Sequence, residues 1–124
     1  MAFIVDSETG DMTLYQGDSG ELLVRGLNTD KNYTVYFAFY NKKRRRLGTE
    51  VSIEANYSDY VNLSIPASLT DLLTVPLGLD SEEYYYGIKV CDSVTGYEDT
   101  SSIGNKGFGD LNIVTVYPKE VEGL

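Results

Sequence analysis

The side chains that could do chemistry in this sequence are carboxylates, tyrosines and one cysteine, because the chain contains no histidine. Without histidine, the usual proton shuttle near neutral pH, the Ser–His–Asp arrangement and the commonest metal ligand are all missing. Two carboxylates could still hydrolyse a glycosidic bond, but the sequence singles out no such pair among its 19 acidic residues. We therefore expect no enzymatic activity, no catalytic residue and no cofactor.

The acidic segment from Asp6 to Asp11 is the best candidate for a metal site. Calcium takes about six to eight oxygen ligands from a loop of defined spacing. This segment lacks both the Asp-x-Asp-x-Asp-Gly order and the terminal glutamate of such a loop. Aspartate and glycine are also favoured in tight turns for conformational reasons. The sequence therefore predicts a turn here and no metal site.

The single cysteine, Cys91, lies in an apolar strand pattern and excludes an internal disulfide. We expect a buried, inert thiol rather than a nucleophile. The N-terminal residues do not combine a basic region with a long apolar stretch, so they predict no signal peptide. No apolar run approaches the roughly 18 residues that cross a bilayer. We expect a protein that is made in the cytosol and has no membrane partner.

Five consecutive basic residues interrupt an otherwise acidic chain. The formal net charge is −9, to which this run contributes +5, leaving −14 for the rest of the chain. Such a protein is not expected to bind nucleic acid or anionic lipid over its whole surface. The favoured interpretation is a solvated hairpin tip that blunts aggregation. Docking to an acidic partner and a local nucleic-acid patch are the alternatives. The run consists of Lys42, Lys43, Arg44, Arg45 and Arg46.

Tyrosine provides a second candidate for binding, with 11 tyrosines against four phenylalanines and no tryptophan. Tyrosine supplies rigid contact area with a polar tip, so it is prominent in binding sites. Ordinary packing on half-buried strands is the equal alternative. Three tyrosines are predicted to lie outside the core and to display their rings to a protein or a glycan. They are Tyr36, Tyr40 and Tyr85.

Turn residues recur at short intervals between β-rich segments, which is typical of sandwiches and barrels. The clearest strand is predicted at 32–41, where Tyr33, Val35, Phe37 and Phe39 alternate with other residues. Period-two alternation sends the two sets to opposite faces, and we expect the apolar set to face the core. Further strands are predicted at 2–6, 12–16, 21–27, 49–55, 60–65, 83–92, 97–103 and 111–117, with a flexible loop at 104–109.

Only the segment 67–74 has helical spacing, and it could hold one or two turns with Ser68 as the N-cap. The predicted fold is therefore all-β, a two-layer immunoglobulin-like β-sandwich of about 7–9 strands with one short helical turn. No internal linker divides the chain. We expect a single domain over residues 1–118, followed by a C-terminal tail at 119–124.

Two segments, 26–33 and 78–84, share a short pattern: Gly-Leu, a polar turn, and a tyrosine that opens a strand. The pattern resembles the tyrosine corner of immunoglobulin-like and fibronectin type III domains. In that corner a tyrosine hydroxyl bonds back to the backbone of the preceding connection. The resemblance supports the architecture and carries no information about function.

Leu14-Tyr15-Gln16-Gly17-Asp18 opens a strand near the N-terminus, a tyrosine-led strand follows at 33–40, and Tyr86-Gly87-Ile88-Lys89-Val90-Cys91-Asp92 begins a closing hairpin. This pattern, over residues 12–117, resembles small β-sandwich proteins of tailed phages, of the type found in upper-baseplate N-terminal domains. The resemblance implies a virion structural or accessory protein, made in the host cytoplasm. Its implied partners are other virion proteins or its own copies. The alternatives are a carbohydrate- or cell-surface-binding module and an intracellular immunoglobulin-like adaptor.

Overall fold

A computed structural model describes residues 3–6, 8–96 and 111–118 of the chain. Within these ranges, eight strands and one short helix form two facing sheets, as predicted for an all-β sandwich. The predicted strand 97–103, the loop 104–109 and the tail 119–124 lie outside the described residues. The elements are β1 (Ile4–Val5), β2 (Met12–Tyr15), β3 (Gly20–Arg25), β4 (Tyr33–Tyr40), β5 (Arg46–Glu54), β6 (Tyr60–Ile65), α1 (Ala67–Thr70), β7 (Glu82–Asp92) and β8 (Asn112–Tyr117).

The larger sheet has six strands in the order β1-β2-β8-β7-β4-β5, and the smaller sheet pairs β3 with β6. All neighbours are antiparallel except β2 and β8, which run parallel with Met12 opposite Val114. In the strand lettering of the immunoglobulin fold, β3 and β6 of the smaller sheet correspond to strands B and E. The strands β4 and β5, which lie between them in the chain, then correspond to C and C′, and β7 and β8 correspond to F and G. The prediction of an all-β sandwich is therefore confirmed, and the strand order agrees with the immunoglobulin-like arrangement that was expected.

Side-chain alternation determines which residues fill the space between the sheets. The predicted inward set of β4, Tyr33, Val35, Phe37 and Phe39, is at most 1% exposed. The Phe37 ring packs edge-on against Phe39 with 4.9 Å between centroids, and it stacks on Tyr86 at 5.4 Å. The smaller sheet closes the core with alternate residues of its two strands, namely Leu22, Val24, Val61, Leu63 and Ile65.

Tyr84 forms the tyrosine corner expected at the start of strand F. Its hydroxyl donates a hydrogen bond to the carbonyl oxygen of Thr74, ten residues upstream in the connection from β6 to β7. That position agrees with the corner of immunoglobulin-like domains. Tyr33, the other tyrosine of the repeated pattern, is completely buried at the start of β4. The corner fixes the connection against β7.

The helix α1 is shorter than predicted and has a different N-cap. It ends at Thr70 rather than 74, and its N-cap is Pro66 in an extended conformation, with no side-chain hydrogen bond from Ser68. Proline ends β6 because it has no N–H for the ladder. After Thr70 the backbone changes to 3₁₀-type hydrogen bonds, in which Leu72 N–H donates to the Leu69 carbonyl and Leu73 N–H to the Thr70 carbonyl. The α-helix therefore does not continue. The Thr70 hydroxyl bonds the carbonyl of Asp18 at 2.7 Å and ties the helix to the turn after β2.

The strand β5 begins at Arg46, three residues earlier than predicted, and contains a bulge. Phe37 of β4 pairs with Val51 of β5, and Phe39 pairs with Leu47, so β5 has two more residues than β4 between these two pairs. Gly48 lies in this bulge with a positive φ of 72°. A β-carbon there would lie 2.7 Å from the Leu69 side chain of α1, so the bulge and the helix are closely packed.

Candidate binding surface

The outward side of the six-stranded sheet carries the three tyrosines predicted to lie outside the core. Tyr36, Tyr40 and Tyr85 are half-buried there, because each is next to a residue of its strand that faces the core, and side chains alternate between the two faces. Tyr40 is opposite Tyr85 of β7 on one side and opposite Arg46 of β5 on the other. We call Tyr36, Tyr40 and Tyr85 the tyrosine face.

The basic run forms the tip of the hairpin between β4 and β5, as predicted, and all five side chains are exposed. Asn41 closes the turn, because its side-chain oxygen accepts hydrogen bonds from the backbone N–H groups of Lys43 at 2.9 Å and Arg45 at 3.1 Å. Arg46 already belongs to β5. We call residues 42–46 the basic hairpin.

The basic hairpin and the tyrosine face are in contact and form one surface. The guanidinium carbon of Arg44 lies 5.6 Å from the centroid of the Tyr85 ring. On the same side of the sheet, the Lys89 ammonium lies 5.6 Å from the centroid of the Tyr36 ring. A cation over an aromatic ring at an exposed site contributes about 0.5–1 kcal/mol. The structure thus brings together residues that the sequence singled out for two separate reasons.

At one end of the basic hairpin, Lys42 forms an ion pair with Glu82 at the start of β7. The Lys42 ammonium and the Glu82 carboxylate lie 2.5 Å apart. Their hydrogen bond raises the pKa of Lys42 and lowers the pKa of Glu82. The pair anchors the hairpin to β7 and neutralises one of its five charges.

The other four basic residues of the hairpin form weak ion pairs or none with the residues that the structure describes. Arg46 lies 3.9 Å from Glu50, and both side chains are about half exposed, so this pair contributes little to stability. Within the described ranges, no carboxylate lies within ion-pair distance of Lys43, Arg44 or Arg45. These three cations are available to an acidic partner.

The acidic segment from Asp6 to Asp11 forms a turn, as predicted, and the Asp6 carboxylate binds backbone N–H groups of that turn. Asp6 accepts hydrogen bonds from the N–H groups of Glu8 at 2.8 Å and Thr9 at 3.1 Å, which lowers the pKa of Asp6. Across the described part of the chain, no three ligand-type side chains cluster closely enough to hold a metal ion. No helix in that part is long and apolar enough to cross a membrane.

Cys91 is not buried in the core, contrary to the prediction. It is half-buried on the outward side of β7, opposite Thr34 of β4. The strand itself gives the reason: Tyr86 and Val90 face the core, so an odd-numbered neighbour must face outward. The thiol therefore belongs to the same sheet surface as the tyrosine face.

A shallow groove of about 690 Å³ lies away from the tyrosine face, between β5 and one end of the smaller sheet. Among the described residues its lining has one carboxylate and two serine hydroxyls but no aromatic ring on which a sugar could stack. Its lining consists of Ser19, Gly20, Glu21, Val51, Ser64, Ile65 and Pro66.

Sequence reasoning missed Lys89 and Glu82 as members of the surface. Each meets its partner only through the register between β4 and β7, which are separated by more than forty residues of chain. No family model matches the sequence, and no curated protein matches it either.

Proposed function

We propose that this protein is a non-enzymatic binding domain and that the basic hairpin and the tyrosine face together bind an acidic protein partner. The observation that carries the proposal is the contact of Arg44 with Tyr85, which joins exposed cations and aromatic area into one surface. Arginine and tyrosine are enriched among the residues that dominate protein interfaces. Complementary charge also speeds association and selects partners.

The same contacts favour a protein over a glycan as the ligand. A sugar stacks on a free ring face, whereas cations lie over the rings of Tyr85 and Tyr36. The three rings are also half-buried in a sheet surface rather than raised as a platform. A carbohydrate- or cell-surface-binding module is the second candidate, and a glycan array tests it directly.

The narrower proposal is a structural or accessory protein of a phage virion, in a baseplate, neck, head fibre or capsid decoration. The resemblance over residues 12–117 supports it, together with the immunoglobulin-like sandwich that the resemblance implies. Repeated copies would convert a modest single contact into tight binding through avidity. An intracellular immunoglobulin-like adaptor would use the same surface without an assembly.

Titration of the isotope-labelled protein with a ten-residue oligoglutamate peptide, followed by NMR, tests the proposed surface. We expect backbone shifts at residues 42–46 and ring shifts at Tyr36, Tyr40 and Tyr85, all suppressed at high salt because screening weakens exposed charge contacts. The charge reversal K43E/R45E should abolish the shifts. Its matched control is R25E/K31E, which changes the charge equally at the end of β3 and in the turn before β4 and should leave them intact.

Two results would overturn the proposal. Equal loss of oligoglutamate binding in both variants would mean that binding follows net charge rather than this surface. A defined glycan on the array that shifts the tyrosine face would make the second candidate the better one.

A further inference from the structure

We infer that the acidic partner of the basic hairpin binds through an amphipathic segment, whose carboxylates meet the hairpin and whose apolar side chains meet three leucines beside it. The inference rests on the proposed function and names the kind of partner. The leucines are Leu72, Leu77 and Leu79, which lie in the connection between α1 and β7. We call them the exposed leucines.

The exposed leucines leave much of their apolar surface in water. Leu77 is completely exposed, Leu79 is 51% exposed and Leu72 is 47% exposed. In the same connection Leu73 is fully buried, so another leucine makes the core contact of this segment. Apolar side chains gain free energy when a partner removes them from water. A surface on which several of them lie together is typical of an interaction site.

The connection that carries the exposed leucines touches both ends of the basic hairpin. At one end, Lys42 pairs with Glu82, which follows Leu79 by three residues, so the α-carbons of Leu79 and Glu82 lie within ~11 Å of each other. At the other end, a β-carbon at Gly48 would lie 2.8 Å from a terminal carbon of Leu72, and Gly48 lies two residues after the hairpin. The cations and the exposed leucines therefore lie at the same end of the sandwich.

The turn that displays Leu77 is formed before any partner arrives. The Leu79 N–H donates to the Pro76 carbonyl at 3.1 Å, which places Leu77 and Gly78 at the centre of a β-turn. Gly78 has a positive φ of 91°, which agrees with the second central position of a type II turn. The tyrosine corner closes the connection around this turn. A preformed turn loses little conformational freedom when a partner binds.

Charge differs between the hairpin and the exposed leucines. In the described ranges, Lys43, Arg44 and Arg45 have no carboxylate within ion-pair distance, whereas Asp80 directly follows Leu79 in the chain. A partner's carboxylates are therefore attracted to the hairpin and repelled beside the leucines. A segment that separates its acidic residues from its apolar residues fits this surface, whereas one that mixes them evenly would bring carboxylates next to Asp80.

The same charge pattern favours a protein segment over an anionic membrane. A bilayer presents negative charge over a broad plane, so it would face Asp71 and Asp80, which adjoin exposed leucines, as well as the cations. The net charge of −9 includes +5 from the hairpin, so the remainder of the chain carries −14 and repels such a plane. A short segment can contact the hairpin and the exposed leucines alone.

Isothermal titration calorimetry with two peptides of equal length and charge tests the inference. Each peptide joins a block of glutamates to a second block, which alternates leucine with serine in the leucine peptide and is all serine in the serine peptide. Both block orders are used, so that either chain direction can be accommodated. We expect the leucine peptide to bind at least about tenfold more tightly than the serine peptide, because burial of one leucine exceeds the free energy of a tenfold change. L77S/L79S should remove this advantage and leave the affinity for the serine peptide unchanged.

The matched control is L23S/V94S, which also removes two exposed apolar side chains. Leu23 is 41% exposed on the smaller sheet, and Val94 is 81% exposed just beyond the end of β7 that is far from Glu82. This variant should keep the full advantage of the leucine peptide. Equal loss of the advantage in both variants, or no advantage in the unmodified protein, would overturn the inference.

The serine peptide separates this inference from the proposed function. If it binds the basic hairpin while the leucine peptide has no advantage, the proposed function stands and only the apolar part of the partner is wrong. If neither peptide binds, both proposals fail. Vesicles of three parts phosphatidylcholine to one part phosphatidylserine test the membrane. Vesicles that bind the unmodified protein but not L77S/L79S, without any advantage for the leucine peptide, would overturn the inference and assign the exposed leucines to a lipid surface.

Discussion

Phe37 packs against two other rings in the middle of the core and is 1% exposed. Truncation to alanine would leave a cavity that the surrounding strands can fill only in part. We expect Phe37→Ala to lower the free energy of unfolding by about 3–5 kcal/mol. Urea unfolding followed by fluorescence measures the change. A loss under about 1 kcal/mol would mean that Phe37 does not fill the core.

For several residues, the alternation of apolar and polar side chains along a strand was enough to predict which side chains face the core. The inward positions of β4 and β6 followed from alternation, because one face of each strand is continuously apolar. The same alternation, applied to β7, places Cys91 outward, whereas the apolar composition of the segment taken alone predicts a buried thiol. Contacts across strands, such as that of Lys89 with Tyr36, could not be predicted, because they depend on register set by the whole sheet.

The bulge in β5 depends on Gly48, which has a positive φ and no room for a side chain. A β-carbon would lie within 2.8 Å of side-chain carbons of both Leu69 and Leu72. We expect Gly48→Ala to lower the free energy of unfolding by about 1–3 kcal/mol through backbone strain and overpacking.

Gly96→Ala is the matched control for Gly48→Ala. Gly96 also has a positive φ, of 76°, but no residue that the structure describes lies within 4 Å of its β-carbon position. The control therefore carries backbone strain without the clash. If the two variants unfold at the same denaturant concentration, the contact between the bulge and α1 does not contribute.

The basic hairpin should tolerate charge reversal, because its side chains are exposed and its turn is held by Asn41 rather than by charge. We expect K43E/R45E to change the free energy of unfolding by no more than about 0.5 kcal/mol. Thermal melting by circular dichroism measures it. Unfolding of this variant at ambient temperature would show that the run is a structural element and not a solvated tip.

Element boundaries were predicted less well than element types, for reasons visible in the hairpin and the helix. The strand β5 begins early because Asn41 tightens the turn so that Arg46 can already pair with Tyr40. The helix ends early because its last residue is held by the carbonyl of Asp18, a contact across 52 residues of chain. The candidate surface was predicted as two separate features, and only the topology joined them.

The pH dependence of stability is a property of the whole molecule. Hydrogen bonds lower the folded-state pKa values of Asp6, Glu82 and Asp92, so their contribution is present above the unfolded pKa values and is lost as pH falls below about 4. The pKa of Lys42 is raised by its bond to Glu82, and that of Tyr86 by burial, so their contribution is lost as pH rises above about 10.

We therefore expect the melting temperature to be nearly constant between these limits and to fall on both sides. Differential scanning calorimetry over the acidic and alkaline ranges measures it. A melting temperature that rises as pH falls below 4 would mean that relief of the net charge of −9 outweighs the loss of these hydrogen bonds.

The parallel pairing of β2 with β8 has a mechanical consequence. The two strands lie side by side from Met12 opposite Val114 to Tyr15 opposite Tyr117, and the N–H of Gln16 donates to the carbonyl of Tyr117 just beyond. Tension applied toward the N-terminus and the C-terminus pulls two parallel strands past each other along their length. Their backbone hydrogen bonds are then loaded together in shear and must break almost simultaneously, whereas antiparallel strands at a hairpin end would peel apart one bond at a time. A domain tethered at both ends would therefore resist extension until a high force is reached and then yield abruptly.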